Sequence, residues 1–209
     1  AHVVPQQVEA CGVEKVAITD IRYANELGYK VKLVGYGVRR EDRMELCVAP
    51  VLLPLNHTLA AVRDSYNAVL VEGDAVGTLM FCGKGAGGMA TASAVVGDVV
   101  EAIRSRDSVR PCFSCYDRIS VEDPRLVVSP FYVRLQAVDS PGVLAFISGA
   151  FGRHGVSLSM VLQKKCKDGV AEVVLVTHSV EKGAIQDALA EIEGCSQVPE
   201  VSNYMRVWE

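Results

Sequence analysis

The sequence has 209 residues, half of them hydrophobic, which is enough to bury a sizeable core in one large or two small domains. Its 21 basic and 25 acidic residues give a formal net charge of −4 without a long block of one sign, which argues against a nucleic-acid-binding surface. The longest uncharged apolar run, Cys47 to Leu55, is much shorter than the roughly 20 residues that a membrane-spanning helix needs.

These properties favour small-molecule or protein partners, with no nucleic acid and no membrane. The N-terminus has no signal-peptide pattern. Seven cysteines, an odd count without a matching set of histidines, indicate reduced thiols in a cytoplasmic protein rather than a disulfide framework or a zinc site. We interpret Cys112 and Cys115 as unremarkable thiols.

The first third of the chain predicts a helix and a hairpin. Residues 16–28 indicate a short strand and then a helix, with Thr19 or Asp20 as the N-cap and Gly28 as the C-terminal stop. Residues 29–54 alternate polar and apolar around a charged turn, which predicts two antiparallel strands.

A second hairpin, with strands over residues 65–73 and 78–83, is expected to follow a short helix capped by Asn56. The sequence then reads FCGKGAGGMATASAVVGDVV at residues 81–100, which predicts a strand end, a glycine-rich loop and a helix. Small and branched apolar residues recur along one face of that helix, and they mark a face that packs closely on something.

The glycines Gly83, Gly85 and Gly88 satisfy the spacing GxGxxG. A dinucleotide-binding fingerprint also needs a second parallel strand that ends in an acidic residue about 20 positions later, and none is predicted here. An independent Rossmann domain is therefore excluded. Two interpretations of the loop remain open: backbone N–H groups that approach an anion at a helix N-terminus, or a tight turn that needs positive φ.

Residues 105–129 hold two prolines and show no sustained periodicity, so they are expected to form a linker. The remaining residues predict the order β-α-β-β-α-β of a ferredoxin-like domain. Ser140 is the expected N-cap of its first helix, with Pro141 at the first helical position. Two apolar stripes predict that both helices cover one face of a four-stranded sheet: Leu144, Ile147 and Phe151, and Ile185, Leu189 and Ile192.

Two stretches carry a family resemblance. Residues 67–100, beginning NAVLVEGDAVG, and residues 18–35, ITDIRYANELGYKVKLVG, resemble the end of the catalytic region of homoserine dehydrogenase. Residues 131–209, with DSPGVLAFISGAFGRHG, resemble an ACT domain, an amino-acid-sensing module. The resemblance implies an α+β fold in three parts: part of a mixed α/β substrate and dimerisation domain (1–107), a linker (108–129) and a ferredoxin-like ACT regulatory domain (130–209).

The family is an NAD(P)-dependent oxidoreductase that interconverts L-homoserine and L-aspartate 4-semialdehyde on the route to threonine and methionine. No residue before position 16 matches the Rossmann domain of the family or its catalytic lysine and aspartate. The resemblance therefore implies a C-terminal fragment that is inactive alone. No catalytic residue, no metal site and no cofactor are expected in the fragment itself, and Lys84 in the glycine loop is expected to be non-catalytic.

In the full-length enzyme the resemblance implies NAD or NADP as cofactor. Gly87 is carried over as the backbone contact to the nicotinamide end, with Gly85 and Ala86 shaping the loop and Thr91 at the helix start. The apolar helix after the loop would pack on the absent nucleotide domain.

The ACT resemblance implies feedback inhibition by L-threonine and a homo-oligomer formed through sheet edges. Asp139 is expected to accept a hydrogen bond from the effector's α-ammonium, and helix-start N–H groups to bind its α-carboxylate. The effector-binding residues expected in this chain are Asp139, Ser140, Gly142, Val143 and Leu144. Ser157, with Ser159 and Gln163 on the same strand, is expected to approach the loop of a neighbouring subunit.

The inhibitory signal is expected to pass through residues 105–129. Two alternatives to a dehydrogenase fragment remain. One is a stand-alone ACT-type amino-acid-binding module without catalytic activity, and the other is an oligomerisation device that binds nothing.

Overall fold

The computed structural model describes residues 3–106, 119–167 and 169–208, with the backbone alone for 165–167. The helices in this part of the chain are α1 (Ile18–Glu26), α2 (Gly88–Arg104), α3 (Val143–Arg153) and α4 (Lys182–Glu193). Its strands are β1 (Glu9–Ala10), β2 (Tyr29–Arg40), β3 (Arg43–Pro54), β4 (Tyr66–Gly73), β5 (Gly77–Lys84), β6 (Ser120–Val121), β7 (Val128–Ser129), β8 (Phe131–Val138), β9 (Leu158–Lys167), β10 (Val170–Thr177), β11 (Val180–Glu181) and β12 (Glu200–Val207).

The chain forms two compact units, one made of Ala1–Leu55 with Asp117–Glu209 and the other of Asn56–Tyr116. The larger unit contains a mixed sheet in the order β1-β3-β12-β8-β10-β9, and β2 and β6 also pair with β3. Strands β8, β9, β10 and β12 with helices α3 and α4 form the predicted β-α-β-β-α-β arrangement, which confirms the α+β fold class.

The pairings of β3 with β1, β6 and β12 were not predicted. Strand β12 runs parallel to β3, with Arg206 opposite Val51 and Val207 opposite Leu52. The first 55 residues therefore share a sheet with the ferredoxin-like part, and the compact units do not follow the boundaries expected at 107 and 130. The domain boundaries at residues 107 and 130, which were set from the family resemblance, therefore stay a prediction.

The predicted linker is only partly described. Its residues 119–129 contain β6, a 3₁₀ turn (Pro124–Leu126) and β7; β6 pairs with β3 and β7 pairs with β11. Cys112 and Cys115 lie outside the described residues.

Helices α3 and α4 cover one face of the sheet, as predicted. The core between them and the sheet includes Phe131, Val133, Leu135, Ile147, Phe151, Leu175, Ile185, Leu189 and Ile192. Leu144 was wrongly placed in this core, because its side chain is 39% exposed and Val143, one position earlier, is the buried residue.

The start of α3 also differs from the expectation. The helix begins at Val143 and its N-cap is Gly142, so Ser140 is not the N-cap and Pro141 is not the first helical residue. Gly142 has φ of +93°, a left-handed conformation that closes a turn before the helix and that glycine adopts without a Cβ penalty.

The N-cap of helix α1 is Ala17, two or three residues before the expected Thr19 or Asp20, and no strand lies between β1 and α1. Asp20 is not the N-cap; its Oδ2 accepts the Ala17 N–H at 2.8 Å from inside the first turn. Gly28, with φ of +85°, follows the helix end as predicted. Both predicted hairpins are confirmed. The short helix expected after Asn56 is a 3₁₀ turn capped by His57 instead.

Asp20 is a fully buried carboxylate, 0% exposed, on the sheet face opposite α3 and α4. Arg134 of β8 donates to it twice, at 2.6 Å from Nε to Oδ1 and 3.2 Å from Nη2 to Oδ2. The Tyr132 hydroxyl (2.9 Å), the Asn203 side-chain amide (3.1 Å) and the Ala17 N–H also donate to it. These hydrogen bonds offset the cost of removing a charge from water.

Glu172 of β10 extends this network toward the surface. Its Oε1 accepts from Arg134 Nη1 at 3.2 Å, and its Oε2 accepts from the Tyr23 hydroxyl of α1. Burial alone would raise the pKa of the Asp20 carboxyl, but the hydrogen bonds led by Arg134 outweigh it and hold that pKa below its usual value. Burial, then Glu172, raises the pKa of Tyr23 to about 12, so its hydroxyl remains a donor.

The smaller unit contains the 3₁₀ turn Thr58–Ala61, the β4–β5 hairpin and α2. Of its described residues only Ala60 is buried. Large apolar side chains are exposed on both parts: Val69, Val71, Leu79 and Phe81 on the hairpin, and Met89, Val95, Val96, Val99 and Ile103 on α2. Among the described residues, no helix has the length and apolar character required to cross a membrane.

Replacing Arg134 should destabilise the larger unit strongly. Arg134→Met leaves the Asp20 charge buried without its main partner, and we expect the free energy of unfolding to fall by about 3–5 kcal/mol. The measurement is urea unfolding followed by fluorescence of Trp208, the single tryptophan, which lies in this unit. Arg125→Met is the matched control, because the Arg125–Asp187 pair is half exposed and an exposed pair contributes little to stability.

The same network predicts a pH dependence. Because the folded pKa of Asp20 lies below its ordinary value of about 4, the carboxylate stabilises the fold above that value. This contribution is lost as the pH falls through the folded pKa. Asp20→Asn should therefore flatten the acid side of the stability curve, and an unchanged acid limb would contradict this assignment.

Candidate functional site

The loop between β8 and α3 borders a cavity of about 380 Å³ in the larger unit. Five of the predicted effector residues line it: Asp139, Ser140, Gly142, Val143 and Leu144. Gln163 of β9 closes one side, and the apolar part of the wall is made by Ile147 of α3 and by Ala171 and Val173 of β10. The cavity therefore combines polar groups at its rim with apolar side chains behind them, as small-molecule sites do.

Among the described residues that line the cavity, Asp139 alone carries a carboxylate. Its backbone N–H donates to the Gly169 carbonyl at 3.0 Å, which holds the residue at the end of β8. Its side chain is exposed and its Oδ1 lies 3.4 Å from Gln163 Nε2. A carboxylate acceptor and an amide, which both donates and accepts, thus stand side by side at the rim.

The first turn of α3 supplies backbone N–H groups to the same rim. Such groups lack partners within the helix and favour an anion. The Val143 N–H reaches the Ser140 carbonyl at 3.4 Å, a long contact, so it is held weakly within the turn. Gly142, in its left-handed conformation, leaves this stretch of backbone without a Cβ.

Ser157 does not belong to this cavity within one chain. It immediately precedes β9, and its carbonyl accepts the His178 N–H at 2.8 Å. Strands β8 and β9 both run antiparallel to β10, so the start of β9 and the end of β8 lie at opposite ends of the sheet. Its expected approach to a neighbouring subunit stays a prediction. Gln163, expected near a neighbour's loop, faces the Asp139 of its own chain.

The glycine loop between β5 and α2 borders a second cavity, of about 480 Å³, in the smaller unit. Ala86 and Gly87 line it, together with the first residues of α2 and Lys84. Gly87 is the N-cap of α2 and has φ of +124°, which side-chain-bearing residues rarely adopt. The interpretation as a positive-φ turn is confirmed. The loop also leads into a helix N-terminus beside open space, and anion binding there stays a prediction.

The other two residues expected near the cofactor lie beside this cavity rather than in its wall. The Gly85 N–H donates to the Ser65 carbonyl at 2.9 Å, and a Cβ on Gly85 would lie 2.0 Å from the Asn67 side-chain nitrogen. The Thr91 N–H donates to the Gly87 carbonyl at 2.9 Å. Gly85 thus shapes the loop, and Thr91 closes the first turn of α2.

Sequence reasoning missed the charged network behind the first cavity. A signal for it was present in the strand FYVRLQAV, because a charge in the middle of an apolar strand indicates a buried partner. Nothing in the local pattern identified Asp20, 114 positions earlier, as that partner.

Comparisons with known proteins agree with this architecture. Residues 1–100 match the family model of homoserine dehydrogenase, and residues 131–196 match that of the ACT domain. The chain belongs to the homoserine dehydrogenase family. The stretches that carried the resemblance, 18–35 and 67–100, both lie inside the first match.

Two curated homoserine dehydrogenases illustrate the similarity. The Synechocystis protein is 41% identical over 95% of this chain and 49% of its own length. The Pseudomonas aeruginosa protein is 36% identical over 90% of this chain and 45% of its own length. The chain thus spans about half the length of the curated relatives it matches.

Solved structures give the same result. A homoserine dehydrogenase from Thiobacillus denitrificans superposes with a TM-score of 0.84 at 32% identity, covering 98% of this chain and 48% of that one. The S. aureus homoserine dehydrogenase at pH 6.0 superposes with a TM-score of 0.64 at 30% identity, covering 99% of this chain and 49% of that one.

The left-handed turn at the mouth of the first cavity can be tested by substitution. Gly142→Ala forces a Cβ into a conformation with φ of +93° and should lower the free energy of unfolding by about 1–3 kcal/mol. Gly152→Ala is the matched control, because Gly152 lies inside α3 at ordinary φ with open space around it and should gain up to about 1 kcal/mol. Urea unfolding of both variants gives the comparison, and equal effects would contradict the strained turn.

Proposed function

We propose that this chain is the C-terminal half of a homoserine dehydrogenase, the NAD(P)-dependent enzyme that interconverts L-homoserine and L-aspartate 4-semialdehyde. Family membership supports the reaction class, and the coverage of about half of each relative supports the view that catalytic and nucleotide-binding residues lie in another part of the protein. The free cysteines among the described residues favour the cytoplasm.

In the whole enzyme, the Gly87 loop would face the cofactor. Its open cavity and its left-handed backbone allow the nicotinamide end of NAD or NADP to approach N–H groups closely. The exposed apolar residues of α2 and of the β4–β5 hairpin support a further packing partner, because a two-stranded hairpin is marginal alone in water. The absent nucleotide domain would supply that surface for α2.

We propose that the cavity at Asp139 binds L-threonine as a feedback inhibitor. The observation that carries this proposal is that the loop, α3 and Gln163 place a carboxylate, an amide and helix-start N–H groups around one cavity. Asp139 and Gln163 would hold the α-ammonium and hydroxyl groups, and the α3 N-terminus the α-carboxylate. The threonine methyl would lie against Ala171 and Val173.

Oligomerisation would use the free sheet edge. One edge of the ferredoxin-like sheet, β12, already pairs with β3 within the chain, whereas β9 ends the sheet order among the described strands. Met160 and Val161 on β9 are 46% and 43% exposed. Pairing of β9 between two copies would cover this edge and bring Ser157 near a neighbouring chain.

Calorimetric titration of the 209-residue chain with L-threonine tests the effector proposal. We expect saturable binding that Asp139→Ala weakens by about tenfold or more, because a charged hydrogen bond of roughly 1.5–3 kcal/mol is lost. Asp187→Ala, which removes an exposed carboxylate of α4, should bind like the unchanged chain. L-Serine, L-methionine and L-lysine serve as ligand controls. Absence of binding would favour the oligomerisation device.

A steady-state assay tests the dehydrogenase proposal. The protein encoded by this reading frame with its upstream sequence should reduce NAD or NADP with L-homoserine, and the 209-residue chain alone should not. Asp139→Ala should relieve inhibition by threonine without changing kcat, because the cavity residues do not take part in the reaction. An inactive longer protein that still binds threonine would support the stand-alone amino-acid-binding module instead.

A further inference from the structure

The two central strands of the ferredoxin-like sheet face the cavity on one side and the charged network on the other. On β10, Ala171 and Val173 line the cavity, and Glu172 between them points to the network. On β8, Ala137 lines the cavity and Arg134, three positions earlier, binds Asp20. Alternation along a strand makes this arrangement unavoidable, since successive side chains point to opposite faces.

Helix α1 closes the network from the other side. Asp20 and Tyr23, one helical turn apart, bind Arg134 of β8 and Glu172 of β10 respectively. The helix leads through Gly28 into β2, so it belongs to the part of the chain that matches the homoserine dehydrogenase family model. The cavity and the dehydrogenase-family segment are therefore separated by the thickness of one sheet.

We infer that occupancy of the Asp139 cavity is transmitted to α1 through the Asp20–Arg134–Glu172–Tyr23 network. The inference rests on the proposed effector function. It replaces the expected route through residues 105–129 with a direct one, because the network joins α1 to the same two strands that wall the cavity.

The physical reason is the directionality of the network. A ligand that fixes Ala171 and Val173 relative to Ala137 also fixes the offset between β10 and β8. Glu172 lies on β10 and Arg134 on β8, so the distance between them depends on this offset. Charged hydrogen bonds weaken with small changes in distance and angle, whereas the apolar contacts around them are not directional. Ligand binding and docking of α1 then favour each other reciprocally.

Hydrogen exchange of the 209-residue chain with and without saturating L-threonine tests the inference. If the state with α1 undocked binds threonine about fivefold more weakly, the low end of ordinary coupling, threonine slows exchange of the Ile18–Glu26 amides by about fivefold. The amides of α2 serve as an internal reference that threonine leaves unchanged. Calorimetry on the same samples establishes that threonine is bound.

Two mild substitutions test the role of the network. Tyr23→Phe removes the hydroxyl that binds Glu172, and Glu172→Gln removes the charge that binds Arg134. Both should reduce the threonine-dependent slowing in α1 toward none. Tyr204→Phe is the matched control: it removes a tyrosine hydroxyl bonded to Gln186 on the α4 side of the same sheet and should retain the fivefold effect.

The outcomes separate the inference from the function on which it rests. Bound threonine with unchanged α1 exchange, or full slowing retained in both network variants, would overturn the inference and leave the effector site standing. Failure of threonine to bind the unchanged chain would overturn the effector proposal, and the inference would fall with it.

Discussion

Strand β12 uses both of its edges within the chain, antiparallel to β8 on one side and parallel to β3 on the other. The second pairing holds the first 55 residues against the ferredoxin-like sheet. Trp208 extends this pairing, because its backbone N–H donates to the Leu52 carbonyl at 2.9 Å. Side chains reinforce it, since Arg206 binds Glu45 and the Tyr36 hydroxyl, and the Tyr36 and Trp208 rings meet edge to face at 5.2 Å.

This constraint gives the sheet two different faces. Helices α3 and α4 bury an aliphatic core on one face, and α1 buries Asp20 together with Tyr23 and Ala24 on the other. Apolar contacts alone would allow α1 to slide over the sheet. A fully buried carboxylate that must meet Arg134 and Asn203 fixes its position, because any other position leaves a charge without partners.

Local pattern was enough to predict what local interactions decide. The β-α-β-β-α-β order, both hairpins and the gathering of Asp139, Gly142 and Leu144 at one loop all follow from periodicity, turn residues and a family resemblance. The parallel pairing of β3 with β12 could not be predicted, because it joins Val51 to Arg206 and periodicity carries no information about such distant partners. The N-cap of α3 was predicted wrongly for a different reason: the left-handed backbone of Gly142 starts the helix, and the preference of serine for N-cap positions does not reveal that conformation.

We propose that the cavity at Asp139 binds an amino acid and that this binding is transmitted to α1 on the opposite face of the sheet. The most direct test is a crystal structure of the 209-residue chain with L-threonine. We predict the ammonium group on Asp139 and Gln163 and the carboxylate on the N–H groups at the start of α3. Threonine found elsewhere, or an Asp139 cavity without it at saturating concentration, would contradict the account.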